Sequence, residues 1–454
     1  MDAPITSATA AQHDNAPAPV TLYQALIYWL KLGFLSFGGP AGQIAIMHHD
    51  LVEKKRWISE KRFLHALNFC MVLPGPEAQQ LATYIGWLMH RTWGGIIAGG
   101  LFVLPSFFIL VALAWIYMDY GTLPAVAGML YGIKPAVVGI VLFAAYRIGA
   151  RALKNRLLWA IAFMAFIAIF ALKLPFPAIV LGAGVVGYFD GRFFPQYFKA
   201  GSGHGQSDQH FGASLIDDDT PTPAHARFSW ARLARVAVIG IALWLAVMAG
   251  LSAIYGWQST FAQMGWFFTK AALLTFGGAY AVLPYVYQGA VEHYQWLTPT
   301  QMIDGLALGE TTPGPLIMVI TFVGFVGGWV KPVFGGDAVL ASAFVASAIA
   351  TFFTFLPSFV FIFLGGPFIE TTHGNLKLTA PLTAITAAVV GVIINLALFF
   401  AYHVFWPTGH LHATDWASMA LALAALLALF RCMITVIPVI LVSGLLGMGW
   451  KLLA

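Results

Sequence analysis

Charge is what this chain has least of. Only 9% of its 454 residues are Asp, Glu, Lys or Arg, against about 25% in soluble domains. So little charge cannot cover a water-facing surface, which excludes a soluble enzyme. The balance of +5, from 23 basic and 18 acidic residues, is too thinly spread for a nucleic-acid-binding surface. Cysteine is nearly missing: Cys70 and Cys432 supply neither a disulfide framework nor a thiolate metal centre. Nucleotide, haem and flavin motifs are lacking, so no cofactor and no metal site are expected, and the driving force is expected to be an ion gradient and not ATP. Residues 1–20 hold no basic residue and no apolar core, so they read as a disordered tail and not a secretory signal.

Apolar residues make up 60% of the chain and aromatics 15%, and the mean hydropathy is +0.81. Asp, Glu, Lys and Arg are absent from 93–118, 338–369, 378–414 and 432–450. A helix crossing the hydrocarbon needs about 20 such residues, so these runs predict an all-α polytopic membrane protein. About thirteen helical segments are expected, near 22–40, 60–89 (interrupted), 93–118, 124–148, 157–172, 176–190, 232–254, 260–278, 302–328 (interrupted), 338–363, 380–402, 416–430 and 433–450. The long polar stretch 191–231, with GSGHGQSDQH and DDDTPTPAHA, reads as a flexible linker. It divides the chain into 21–190 and 255–454, with 232–254 a connecting transmembrane helix.

The two parts repeat each other. A shift of 239 places Lys31 on Lys270, Phe37-Gly38-Gly39 on Phe276-Gly277-Gly278, Trp57 on Trp296 and Pro74-Gly75-Pro76 on Pro313-Gly314-Pro315. After an insertion near 330–337 the shift becomes 252. Leu104-Pro105-Ser106-Phe107 then meets Leu356-Pro357-Ser358-Phe359, and Ala136-Val137-Val138-Gly139 meets Ala388-Val389-Val390-Gly391. Six spans per half plus the connecting helix make these inverted repeats. The positive-inside rule then puts the amino terminus and the basic residues between Arg147 and Arg235 in the cytoplasm. The cluster Lys54, Lys55, Arg56, Lys61 and Arg62 objects: either 60–89 is re-entrant or the cluster forms a vestibule on the other face.

Inverted repeats with broken helices are the architecture of secondary transporters, whose substrates bind where the repeats meet. The Phe-Gly-Gly and Pro-Gly-Pro positions are the expected breaks. A half-helix that starts inside the membrane aims unpaired N–H groups and a positive dipole end into the protein, a natural seat for an anion. Ser36, Gly38, Gly39, Pro40, Pro74, Gly75, Pro76, Gly277, Gly278 and Gly314 are therefore candidate binding residues. Lys31 and Lys270 sit in apolar spans and either neutralise an anion or snorkel to an interface. Lys134 is a weaker candidate of the same kind. Glu77 either opens its helix or carries the coupling proton, with Glu310 as its candidate partner. Gln79, Gln80, Asn68 and Thr83 bond to substrate oxygens or to one another. Trp57 and Trp296 are read as interfacial anchors.

The run from Lys31 to Trp87, with SFGGPAGQ and LPGPEAQQLATYIGW, closely resembles the first domain of the chromate ion transporter family; FFTKAALLTFGGAYAVLPYV and LGETTPGPLIMV resemble its second domain. The resemblance covers nearly all of 21–450. It implies a multi-pass protein of the bacterial cytoplasmic membrane that exports chromate on the proton gradient or membrane potential and confers resistance. The family's motif positions fall on Gly38, Gly39, Pro40, Pro74, Gly75, Pro76, Glu77 and Gln80. The second half departs at Leu316, the mate of Glu77, and at Ala279, the mate of Pro40, so the first half is expected to carry the main contacts. Expected partners are chromate, with sulfate as the alternative, membrane lipids and a second copy of the chain, but no nucleic acid. Uptake or exchange of sulfate or a related oxyanion is the competing function.

Overall fold

Helix lengths already divide the chain into pieces that can cross a bilayer and pieces that cannot. The computed structural model describes residues 17–37, 39–193, 211–276, 278–371, 379–407 and 414–453. The tail 1–16, Gly38, Gly277 and the linker residues 194–210 lie outside them. Among the described residues there are sixteen α-helices. The first half holds α1 (Leu22–Leu35), α2 (Gly39–His48), α3 (Glu60–Cys70), α4 (Glu77–Tyr120), α5 (Pro124–Ala152), α6 (Arg156–Phe170) and α7 (Phe176–Phe193). The second half holds α9 (Thr260–Leu273), α10 (Ala279–Tyr287), α11 (Pro299–Thr311), α12 (Val319–Val330), α13 (Val339–Thr371), α14 (Thr379–Phe405), α15 (Trp416–Phe430) and α16 (Val436–Leu453). Between them runs α8 (Trp230–Tyr255), which buries only Gly240 and Met248, packs Trp244, Val247 and Leu251 against the core and leaves most of its other apolar residues exposed.

The count exceeds thirteen because the interrupted segment 302–328 forms two helices, α11 and α12, and because α2 and α10 follow the Phe-Gly-Gly breaks, largely outside the expected segments. At 1.5 Å per residue, the 14 residues of α1 reach ~21 Å, short of the ~30 Å hydrocarbon core. The chain turns back through α2 and the π-helical turn His49–Lys54. The Trp57 ring then returns to within 5.0 Å of the Tyr28 ring at the middle of α1. α3, with 11 residues, is shorter still, and the first limb of α4 ends at a kink where His90 and Arg91 leave helical geometry. Each half thus opens with two re-entrant hairpins. The outer starts are capped by side chains: Thr21 and Ser59 in the first half, Ser259 and Thr298 in the second, each accept from a backbone N–H of the first turn.

The repeat is a structural one. Arg56 and Gln295, 239 apart, share positive φ (51° and 52°). So do Lys173 and Met433, 260 apart, at 50° and 53°. Close contacts come in matched pairs. A Cβ on Gly139 would lie 3.2 Å from the Ala422 carbonyl and one on Gly391 2.0 Å from that of Ala162, the same contact made reciprocally. The hairpin α15–α16 of the second half therefore packs on α5, and α6–α7 of the first packs on α14.

Corresponding helices run in opposite directions. Tyr131, near the start of α5, donates to Asp415 at 2.8 Å, and the Asp415 N–H donates to Phe405 at the end of α14 at 2.9 Å. At the other end, Leu153 clusters with Ala384, Ala387 and Val390 near the start of α14. On α4 and α13, Gly95 and Gly99 face Phe363 and Phe359, while Phe107 meets Phe344. The halves are inverted.

The polar stretch is anchored where it is described. The Leu215 and Ile216 N–H groups donate to the Arg56 and Trp57 carbonyls at 2.9 and 3.1 Å, and the Ser59 N–H donates to Ile216 at 3.0 Å. Ser59 Oγ donates to Asp218 at 2.6 Å. The part from 211 onward is therefore docked, not a flexible linker, because backbone pairing holds polar side chains that composition alone would leave in solvent. The basic cluster Lys54–Arg62 consequently shares a face with 211–229. Trp57 and Trp296, 6% and 0% exposed, lie inside the protein and are not lipid-facing anchors.

Candidate functional site

The Pro-Gly-Pro loops and the Phe-Gly-Gly breaks meet at the pseudo-twofold axis. The Gly75 N–H donates to the Thr275 carbonyl at 2.8 Å, and its mate, the Gly314 N–H, donates to the Ser36 carbonyl at 2.7 Å. Gln43 Nε2 donates to Ser36 and Gly314 carbonyls at 3.2 and 2.5 Å. Both glycines hold positive φ, 127° and 100°. Each lies against the serine of the other half's Leu-Pro-Ser-Phe: a Cβ on Gly75 would come 2.3 Å from Ser358 Oγ, and one on Gly314 2.8 Å from Ser106 Cβ. Five polar atoms around these loops, on Gln43, Gln79, Gln80, Ser106 and Ser358, are buried without a partner.

Beside this knot opens a cavity of about 980 Å³. Gly39 and Pro40 at the start of α2, Glu77 at the start of α4, and Gly278 and Ala279 at the start of α10 all line it. The starts of α4 and α10 carry no side-chain cap, unlike the outer helix starts, so their first N–H groups are left to the cavity. The fourth break contributes nothing comparable: Leu316 begins a 3₁₀ turn and is packed in the core. Arg147 and Arg151, one turn apart on α5, and Lys154 beyond it add positive charge to the wall. Glu310 faces them from α11, holding the Tyr280 hydroxyl as donor. At the mouth, His48 is paired with Glu53, at 3.1 Å, and with Glu60.

Of the residues singled out in the sequence, Gly39, Pro40, Glu77, Gly278 and Glu310 come together here. Gly75 and Gly314 lie in the knot, their N–H groups committed to carbonyls. Ser36 Oγ donates to Leu32 at 2.6 Å. Gln80 Nε2 donates to the Pro74 carbonyl at 2.8 Å, Pro76 caps α4, and Gln79 Nε2 bonds Thr83 at 3.0 Å. Lys31 is exposed on α1, away from the cavity. Lys270 rests its ammonium 5.5 Å above the Trp266 ring and also stands apart from it. The cations that do reach the cavity, Arg147, Arg151 and Lys154, read in the sequence only as markers of the cytoplasmic side. The i, i+4 spacing of the two arginines within an α5 pattern that continues to Ala152 was the signal that they share a helix face.

The family model described as chromate transporter matches residues 23–188 and 262–448. The chain belongs to the chromate transporter family. The two matched regions coincide with the two structural halves and leave out α8 and the docked polar segment. The transporter is 32% identical over 454 residues to a chromate transport protein of Pseudomonas aeruginosa, covering 97% of this chain and 95% of that one. With a chromate transport protein of Cupriavidus metallidurans the identity is 31% over 401 residues, 88% of this chain and 86% of the relative. With a probable chromate transport protein of Synechococcus elongatus it is 30% over 374 residues, 82% and 83% of the two chains. No solved structure matches the chain. Six helices among the described residues are long and apolar enough to cross a bilayer, and together with this family they make it a multi-pass membrane protein.

Proposed function

We propose that the protein is a secondary transporter that moves chromate out of the bacterial cytoplasm and thereby confers chromate resistance. One observation carries the reading: three helix amino termini, Arg147, Arg151 and Lys154 converge on a single cavity beside the axis of two inverted repeats. Chromate is a tetrahedral dianion, and helix starts with arginine are its natural ligands. The mouth of the cavity shares its face with Arg56, Arg62, Arg156 and Arg227, so the positive-inside rule supports a cytoplasmic opening. Glu77 and Glu310 supply the coupling. Repulsion between a carboxylate and a dianion in one cavity makes anion binding favour the protonated carboxyl, which makes transport pH-dependent, while the membrane potential, negative inside, drives the dianion outward. The knot residues Ser36, Pro74, Gly75, Pro76, Gln80 and Gly314 position the helix starts.

The test uses everted vesicles from cells expressing the full chain, in which export appears as uptake. Chromate accumulation that collapses with a protonophore supports the reading, whereas sulfate accumulation indifferent to excess chromate replaces it with a sulfate transporter.

A further inference from the structure

A second, smaller cavity of about 310 Å³ approaches the first from the opposite face, and Tyr117, Lys134 and Asp304 line it. On α5, Lys134 belongs to the small cavity and Ile140 to the large one. On α11, Asp304 belongs to the small cavity and Glu310 to the large one. Six residues separate the members of each pair, so both helices give the partition the same length, ~9 Å at 1.5 Å per residue.

Three elements are tied together at the small cavity. Lys134 Nζ lies 3.4 Å from Asp304 Oδ2, and the Tyr117 hydroxyl donates to the same oxygen at 2.9 Å. Asp304 is 2% exposed, and its Oδ1 is buried without a partner. Tyr117 comes from α4 and Lys134 from α5, whereas Asp304 comes from the second half, so the group bridges the halves. The repeat supplies a second argument. In the 252 register Lys134 is the mate of Thr386, and Thr386 lines the large cavity. Inverted repeats that exchange conformations open a cavity on the other face, and its wall carries Lys134 where the present wall carries Thr386.

We propose that Tyr117, Lys134 and Asp304 close the far end of the path. Lys134 becomes the far-side contact of the oxyanion when that end opens, and Asp304 is its counter-ion while it is closed. The inference rests on the transporter reading. A lysine at this depth needs a partner in every state, and separating a buried pair without replacement is strongly unfavourable. A dianion arriving through the partition competes with Asp304 for the ammonium, so opening is linked to the presence of cargo.

The test is thiol accessibility in the full-length, purified protein. Leu130, a buried residue on the small-cavity wall, is changed to cysteine in a Cys432→Ser background, and its reaction with a charged methanethiosulfonate is timed. Slow labelling is expected in this parent, at least fivefold faster labelling after Asp304→Asn or Lys134→Gln, and slow labelling again in the reversed pair Lys134→Asp with Asp304→Lys. Lys134→Gln also reduces chromate transport at least tenfold. Labelling that is equally fast in the parent, or unchanged in both single variants, overturns the proposal. Accessibility is read without cargo, so a wild-type protein that moves no chromate defeats the transporter reading and leaves this result to stand alone.

Discussion

Gly75, Gly314 and Gly39 form a graded series of backbone tests. All three hold positive φ, at 127°, 100° and 70°, where an L-residue costs about 1–2 kcal/mol. They differ in what an added methyl meets. At Gly39 nothing lies within 4 Å; at Gly314 the nearest atom is Ser106 Cβ at 2.8 Å; at Gly75 Ser358 Oγ stands at 2.3 Å and Gln80 Nε2 at 2.7 Å. Overpacking in a filled interior adds about 1–3 kcal/mol. Gly39→Ala should therefore lose about 1–2 kcal/mol and Gly75→Ala about 2–5 kcal/mol, with Gly314→Ala between them. The double variant Gly75→Ala, Ser358→Ala removes the clashing hydroxyl but not the strain, so it should recover part of the loss. Ser358→Ala alone should be near neutral, since its hydroxyl has no partner to lose. Thermal unfolding in detergent, followed by tryptophan fluorescence, reads the order. Equal losses at Gly39 and Gly75, or no recovery in the double variant, would refute the packing of each Pro-Gly-Pro loop against the other half's serine.

Arg151→Gln and Arg147→Gln should each lower chromate accumulation in everted vesicles at least tenfold, whereas Lys31→Ala, altering an exposed residue off the cavity, should stay within twofold of wild type; the reverse ranking would move the anion site to α1. Glu77→Gln should leave chromate binding in place and flatten the pH profile of transport, and an unaltered profile would remove Glu77 from the coupling. Arg62→Gln removes an ion pair to Glu370 at 3.5 Å and a bond to the Thr220 carbonyl at 2.5 Å. Limited proteolysis should then cut within 211–229 at least fivefold faster, and unchanged cleavage would show that the backbone bridge alone holds this segment.

The parts of the architecture written as repeated residues were open to reading. Two registers located the halves, the breaks and the inequality between Glu77 and Leu316. Direction was harder. A run such as 60–89 is apolar enough for one span, and hydropathy has no sign that distinguishes crossing from turning back. Pro74, Pro76 and the basic cluster from Lys54 to Arg62 were the hints of the reversal. Arg147 and Arg151 were hidden by their own charge, which suggests a loop until α5 is followed to Ala152. Lys31 misled for the opposite reason, because a lysine in an apolar run looks internal whichever face of the helix it occupies. Composition likewise assigned 211–229 to solvent, because backbone pairing with Arg56 and Trp57 leaves no trace in residue type.

The two halves share a backbone plan but not a charge plan. Under the same registers Glu77 maps to Leu316, Arg147 to Phe399, Arg151 to His403 and Lys154 to Trp406. If the halves exchange conformations, the cavity that opens to the far face inherits these mates together with Lys134. The present wall offers a dianion two arginines and a lysine; the exchanged wall offers one lysine, one histidine and aromatic surface. Coulombic attraction scales with the charge presented, so the same anion is held more weakly on the far side and leaves there more readily. Affinity that differs between faces cannot drive net transport without an energy source, because binding and release around a closed cycle must balance. It sets where cargo is captured and where it is released. Replacing Phe399 and His403 together by arginine would make the two walls alike. Release should then become limiting, seen as slower turnover with a lower half-saturating chromate concentration; turnover equal to wild type would mean that the asymmetry of the walls plays no part.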